Sequence, residues 1–392
     1  MSEVIVKTAI LSHVIPPMPT GQSIVLARLT SNISPTSLVF VMRSQYFAHN
    51  NSETHVTISK GLCIRDFRSP ILRKFATLFN FCSATAFGIA DLVRLIGRHG
   101  VDQLVVCSGD PYLIPIGVMA GRITGKRIIV YLFDHYSEQW KMEDIYSIVK
   151  RTEPWVLNRS DLIVVPNEFL ETEIAGLSST PTVLIRNPIG GDDRIRAPVR
   201  KQIGTDVSIV YTGTVYHAHF DAIRNLLAAI DMIRDRSITL HIHTHQSRED
   251  LEEHGISGRV IVHPFVGGDE ILSIQANADL LFLPLSFESQ QSTVMRTSAP
   301  GKMGEYLSSG NLILVHAPKD TFLSWFFRKN HCGVVCSDSD PSALAQQLTD
   351  ILASPDQVEE MKTNATGVAE QFRSDVSRAK FLEVLSSGGQ ML

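Results

Sequence analysis

The 392-residue sequence is poor in cysteine: it has five, Cys63, Cys82, Cys107, Cys332 and Cys336, and no CxxC pair. A sparse, odd set excludes a disulfide framework, and reduced thiols in a cytoplasmic chain are the simplest reading. Long hydrophobic runs are missing as well. One uncharged, largely apolar stretch, residues 75–90, is interrupted by Asn80, Ser83 and Thr85. It also falls short of the ~20 residues that a membrane span needs. Met1-Ser2-Glu3-Val4 has no basic segment leading into an apolar run, so a signal peptide is not expected. Neither sign of charge is in large surplus, with 36 basic against 40 acidic residues. A formal net charge of −4 offers no general attraction to nucleic acid, so any anion site has to be local. Apolar material is ample, at 44% of residues against 19% charged. Such a composition builds large cores rather than disorder, and the length favours two domains.

Short apolar runs alternate with helical patterns. Residues 4–11 read as a strand, followed by the loop Pro16-Pro17-Met18-Pro19-Thr20-Gly21. Ser23 is placed to cap the helix that follows. Further strands are expected at 37–42, 103–107, 127–133, 162–165 and 182–185, with a long helix over 71–98. This βαβα order is that of a parallel sheet covered on both faces. The turn chemistry of Asn187-Pro188-Ile189-Gly190-Gly191-Asp192-Asp193 and the charged segment 194–201 then break the pattern. It restarts with strands at 207–211, 239–243, 260–263, 280–283 and 312–316. Helices are expected at 221–236, 269–276, 302–309, 342–353, 355–372 and 378–385. The fold expected is α/β, with two Rossmann-like domains facing a central cleft. They are residues 1–188 and 189–375, with a C-terminal helix in 376–392 packing back toward the first. Ligands of such sheets sit at the carboxyl ends of the strands.

The strongest chemical signal is Ser298-Ala299-Pro300-Gly301-Lys302-Met303-Gly304-Glu305-Tyr306-Leu307-Ser308-Ser309-Gly310. A small-residue turn opens a helix there. Backbone N–H groups at a helix start, with the positive end of the dipole, suit a diphosphate. Lys302 adds a full charge, and Glu305 lies one turn further in, where a carboxylate can accept from two ribose hydroxyls. An ordinary capped helix explains the same residues about as well on chemistry alone.

The segment resembles the donor-binding motif of family 4 retaining glycosyltransferases of GT-B fold, commonly P-S-K-L-x-E-Y-L-A-A-G-x-P-V. Other segments resemble that family in the same order: Asp161 to Glu168, Val183 to Ile189, Ile209 to Thr214, Val260 to Val266 and Ala278 to Leu285. The resemblance implies that Glu305 binds the donor ribose, and that backbone groups of Ser298, Ala299, Pro300, Gly301, Lys302 and Met303 bind the phosphates. It implies that Pro264 and Phe265 flank the base, that Gly21 and Gly213 allow close backbone approach, and that Asp134 and His135 lie beside the sugar. The catalytic set expected is Asp134, His135 and Lys302.

Two departures stand out. Relatives carry an Arg and a Lys after the position of Gly213, whereas this chain has Thr214-Val215-Tyr216-His217-Ala218-His219. The family's first glutamate would fall at Thr297, so Glu288 is its candidate replacement. Arg296 and Lys302 are the candidates for the missing positive charge. The resemblance implies transfer of a sugar from a UDP- or GDP-sugar to an acceptor hydroxyl on a glycan, lipid-linked or small molecule. No cofactor or metal is expected beyond the nucleotide-sugar. Two rivals remain: a GT-B sugar-nucleotide epimerase, against which the Glu305-Tyr306-Leu307 helix argues, and a catalytically weak GT-B binding protein, which the missing Arg and Lys suggest.

Three weaker features remain. His241, His243 and His245 alternate on one strand face, which is either a metal-ligand row or, more simply, a polar face. Cys332 and Cys336 read as buried, inert thiols. Lys60, Arg65, Arg68, Arg73 and Lys74 precede the apolar stretch 75–90, a pattern of either a solvated face or peripheral contact with the inner face of a membrane.

Overall fold

The computed structural model describes residues 6–18, 20–49, 55–64, 69–190, 195–196 and 203–386. Residues 4–5 of the first expected strand lie outside these, as do Gly191-Asp192-Asp193 and most of the charged segment 194–201. The chain divides into two compact units, Met1–Arg186 with Ser377–Leu392, and Asn187–Val376.

The first unit contains β1 (Thr8–Leu11), α1 (Gly21–Thr30), β2 (Leu38–Arg43), β3 (His55–Ile58), α2 (Pro70–His99), β4 (Gln103–Cys107), α3 (Leu113–Thr124), β5 (Arg127–Tyr131), α4 (Tyr146–Leu157), β6 (Leu162–Val165), α5 (Glu168–Ala175) and β7 (Thr182–Leu184). The seven strands form one sheet in the order β3-β2-β1-β4-β5-β6-β7, and every pairing is parallel. Because both faces are covered, β1, β4 and β6 are wholly buried. They are therefore continuous apolar runs rather than alternating ones. Helix α2 starts on Pro70, whose fixed φ suits a first turn, and stops at Gly100 in the left-handed conformation. Asn167 caps α5 by accepting from the amides of Phe169 and Leu170. The adjacent Glu168 binds Arg186 through both guanidinium Nη atoms, at 2.8 and 2.6 Å.

The second unit contains β8 (Asp206–Thr212), α6 (Phe220–Met232), β9 (Ser237–Thr244), α7 (Arg248–Glu253), β10 (Val260–Pro264), α8 (Gly268–Asn277), β11 (Leu280–Pro284), α9 (Ser292–Thr297), α10 (Lys302–Ser308), β12 (Leu312–His316), α11 (Phe322–Asn330), β13 (Val334–Cys336), α12 (Pro341–Leu352) and α13 (Pro355–Ala369). Its six strands run parallel in the order β10-β9-β8-β11-β12-β13. The last helix, α14 (Ser374–Ser386), contributes Phe381, Val384 and Leu385 to the first unit's core. The amide of Gln103 and the guanidinium of Arg127 donate to the carbonyls of Leu385 and Val384. In each sheet the strand order reverses once, between β1 and β4 and between β8 and β11. Such reversals open a crevice at the carboxyl ends of the strands.

Several local expectations need correction. Helix α1 begins at Gly21 with Thr20 at its cap, so Ser23 lies inside the helix as a buried residue. Strand β5 stops at Tyr131, two residues early, and α6 stops at Met232. The polar stretch after β11 holds α9, and the loop after β2 holds β3.

Candidate functional site: the carboxyl end of the second sheet

The second unit's reversal point is built around Gly213. Its φ of +111° belongs to the left-handed region that side chains disfavour. The Gly213 amide donates to the carbonyl of His243 at 2.8 Å. One residue earlier, the Thr212 amide donates to the Tyr306 hydroxyl at 3.0 Å. Tyr306 thus ties α10 to the end of β8. Lys302, on the first turn of α10, reaches the same spot. A methyl group added at Gly213 would sit 3.3 Å from its Nζ, so the glycine leaves the ammonium room.

The Lys302 ammonium lies 3.8 Å over the ring of Tyr211. Among the described residues no carboxylate pairs with it. Burial pushes its pKa from 10.5 down to about 7, against a smaller opposing pull from Glu305. The Tyr211 hydroxyl donates to the carbonyl of Thr214 at 2.8 Å and meets His219 Nδ1 at 3.2 Å. Burial first, and then the Lys302 and His217 charges, hold His219 well below its ordinary range. The His219 ring is therefore neutral at pH 7, and Lys302 carries the amine at this point.

The turn before α10 is equally ordered. The Asn187 side-chain amide donates to the carbonyl of Ala299 at 3.1 Å. The Met303 amide is taken by Pro300, and the Met303 side chain is in the core. Met303 therefore has no N–H to offer a phosphate, which corrects its expected role. The amides of Ala299, Gly301 and Lys302 have no acceptor among the described residues. Ser298, Ala299 and Pro300 are half-buried, and Gly301 is exposed. A side chain at Gly304 would press on Phe372 and Ile189 at 3.1–3.3 Å, so close packing explains that glycine. Glu305, on the exposed side of the same helix, is half-buried.

Other expected residues fall into place unevenly. Pro264 ends β10, and Phe265 just after it is 43% exposed with its ring stacked on His245 at 3.9 Å. Thr214 is exposed and Arg296 half-buried on α9. Glu288 is not brought to Lys302. Its carboxylate faces Arg224 at 3.8 Å on the surface, and its amide donates to Asp221. Its candidacy as a displaced replacement for the family's first glutamate gains no contact from this placement. Thr297 is buried and donates to the carbonyl of Thr293.

His241 and His243 stack on His263, and His241 Nδ1 meets His263 Nε2 at 2.9 Å. They line a cavity of about 310 Å³ with Glu270, Ser273 and Asn277. Among the described residues no group of three His, Cys, Asp or Glu is arranged to hold a metal ion. Cys332 and Cys336 are buried, and burial pushes the Cys332 thiol up to about 12, which keeps it protonated.

In the first unit, Gly21 is exposed at the start of α1, with open space where a side chain would go. Asp134 follows β5 and is half-buried, and burial raises its carboxyl to about 6. His135 is buried instead, with Nδ1 3.4 Å from Glu153 of α4. Burial raises the Glu153 carboxyl to about 7. Asp134 and His135 thus point to different surroundings. The carboxyl ends of β2 and β4 carry a buried pair missed by sequence reasoning: Arg43 and Asp110 at 3.0 Å, with the Tyr46 hydroxyl donating to Asp110 at 2.7 Å. Tyr211, His219, Tyr306 and Asn187 also escaped it. All four stand in segments already singled out, but the bond from Asn187 to the Ala299 carbonyl joins residues far apart in sequence.

Residues 206–354 match the family model described as Glycosyl transferases group 1. No curated protein matches the chain. Sucrose-phosphate synthase from Thermosynechococcus elongatus is 15% identical, with a TM-score of 0.70 over 96% of this chain and 97% of its own. HepE from Anabaena, in complex with UDP and glucose, is 14% identical, with a TM-score of 0.67 over 97% and 100%. A trehalose-phosphate synthase from Burkholderia xenovorans, in complex with glucose-6-phosphate, is 11% identical, with a TM-score of 0.65 over 97% and 100%. At these identities the likeness is one of fold. The second unit thus carries a glycosyltransferase domain. The chain is a glycosyltransferase enzyme of GT-B fold, with one parallel sheet in each unit.

Proposed function

We propose that the Gly213–Lys302 site holds the diphosphate of a UDP- or GDP-sugar, and that the chain transfers the sugar to an acceptor hydroxyl with retention. The observation that carries this reading is the Lys302 ammonium. It is half-buried, unpaired with any carboxylate among the described residues, and set beside a glycine that leaves it open. A buried cation without a counterion is costly, and an anionic ligand removes that cost. Glu305, one turn along, is assigned the ribose, and Phe265 the base.

In the transfer, the acceptor oxygen bonds to the anomeric carbon as the bond from that carbon to the diphosphate breaks. The acceptor proton passes to the departing phosphate oxygen. Charge grows on that phosphate, and Lys302 with the free amides of Ala299 and Gly301 stabilises it. Preorganised donors of this kind commonly supply the largest part of a rate enhancement. No resident cofactor is called for. The bound sugars named for HepE and the trehalose-phosphate synthase support a nucleotide-sugar donor and a small sugar acceptor.

The test is release of UDP or GDP across a panel of nucleotide-sugars, with the anomeric configuration of product read by NMR. Release from at least one donor, with retention, is the expected result. Nucleotide binding without release from any donor would favour a binding protein.

A further inference from the structure

Helix α2 carries two apolar faces. One is buried: Phe81, Ala84, Gly88, Leu92 and Leu95 point into the first unit's core, and Gly88 lets α2 approach Ile116 of α3. The other faces solvent. Ile71, Phe75, Leu78, Cys82 and Ala86 recur at intervals of three and four residues, so they form one stripe. Ile71 is 80% exposed, Phe75 59% and Leu78 50%. Leu72, Phe87 and the nearby Leu62 extend the patch. No charged residue occurs between Phe75 and Ala90 to solvate it. Scattered exposed apolar residues are ordinary, but a contiguous stripe marks a contact surface.

The charge around the stripe identifies what covers it. Residues 60–74 hold five basic side chains, Lys60, Arg65, Arg68, Arg73 and Lys74, against the single acid Asp66, in a chain whose net charge is −4. Arg65 and Arg68 lie outside the described residues. Lys60 and Lys74 are exposed, while Arg73 pairs with Asp144 at 3.1 Å. Arg98 is exposed toward the far end of the helix, and Arg94 pairs with Asp91. An apolar stripe with a basic margin fits an anionic lipid surface: the side chains enter the acyl boundary and the cations meet the headgroups. By length and composition α2 could cross a membrane. Its buried face packs instead on the domain, so the helix lies along the surface.

We infer that α2 docks the first unit on an anionic phospholipid surface through the Ile71–Phe75–Leu78 stripe and the basic residues at its amino-terminal end. This inference is independent of the donor site. The experiment is flotation of the full chain with vesicles of phosphatidylcholine alone, or with 30 mol% phosphatidylglycerol, at low and high salt. The expected result is flotation with phosphatidylglycerol vesicles at low salt, weakened by high salt. Each surface cation contributes about fivefold in affinity, so Lys60→Glu with Lys74→Glu should weaken binding at least ~25-fold. Phe75→Ser with Leu78→Ser should abolish flotation while the circular-dichroism melting curve stays cooperative. No flotation at low salt, or equal flotation of both double variants, would overturn the inference. So would a wild-type dimer in solution that Phe75→Ser with Leu78→Ser converts to monomer, because a second copy would then own the stripe.

Discussion

Replacing Lys302 by alanine should weaken UDP or GDP binding by ~10²–10³-fold and change its pH dependence. Two magnitudes set the argument. Holding the ammonium at about 7 rather than 10.5 corresponds to ~5 kcal/mol against the charged form. That is an upper figure, because the half-buried amine keeps some water. A phosphate oxygen ~4 Å away contributes ~4 kcal/mol at an effective dielectric constant of ~20. The two are of similar size, so a bound diphosphate restores the proton that burial removes. At pH 7 the free site is about half protonated, and binding should take up ~0.5 proton. The bound state holds more protons than the free state above pH 7, so affinity falls as pH rises, approaching tenfold per unit between pH 7 and 9. Lys302→Ala should show neither the uptake nor the slope. Titration calorimetry at several pH values, in buffers of different ionisation enthalpy, reads both. Equal pH slopes in the wild type and the variant would refute the reasoning.

Gly213→Ala places a side chain at a φ of +111° and 3.3 Å from the Lys302 Nζ. It should lower thermal stability by ~1–3 kcal/mol and weaken nucleotide binding more than a distant variant of equal stability loss does. Tyr306→Phe strands the buried Thr212 amide. Urea unfolding should show a loss of ~1–3 kcal/mol, with nucleotide affinity reduced because the end of β8 loosens. Glu153 has a carboxyl raised above its unfolded value of 4.5, to about 7. The folded state therefore binds the extra proton between those values, and stability should fall as pH rises through that window. Glu153→Gln should flatten the fall in urea titrations at pH 5 and 7.5.

The strand pattern was readable because parallel strands covered on both faces are short, continuous apolar runs. Runs such as Gln103–Cys107 and Leu280–Pro284 announce themselves without any contact information. β3 was not, because His55–Ile58 is short and follows a polar stretch. Nor was α9, where Ser292 and Thr293 resemble loop chemistry and tertiary packing of Val294 and Met295 makes the helix. At the site, segment chemistry singled out Lys302 and Glu305 in advance, and the family resemblance added Gly213. The family spacing points to Thr297 rather than Glu288, and the Glu288 carboxylate faces Arg224 instead. Spacing could not show that His135 turns onto Glu153, nor that Tyr211 stands under Lys302. Those are contacts between elements far apart in sequence.

The most direct measurement of the central claim is a structure of the chain with UDP or GDP bound. The account predicts the diphosphate within hydrogen-bonding reach of Lys302 Nζ and of the Ala299 and Gly301 amides, with the ribose hydroxyls on Glu305. A nucleotide bound elsewhere, with Lys302 still covering the Tyr211 ring and touching no phosphate, would contradict it.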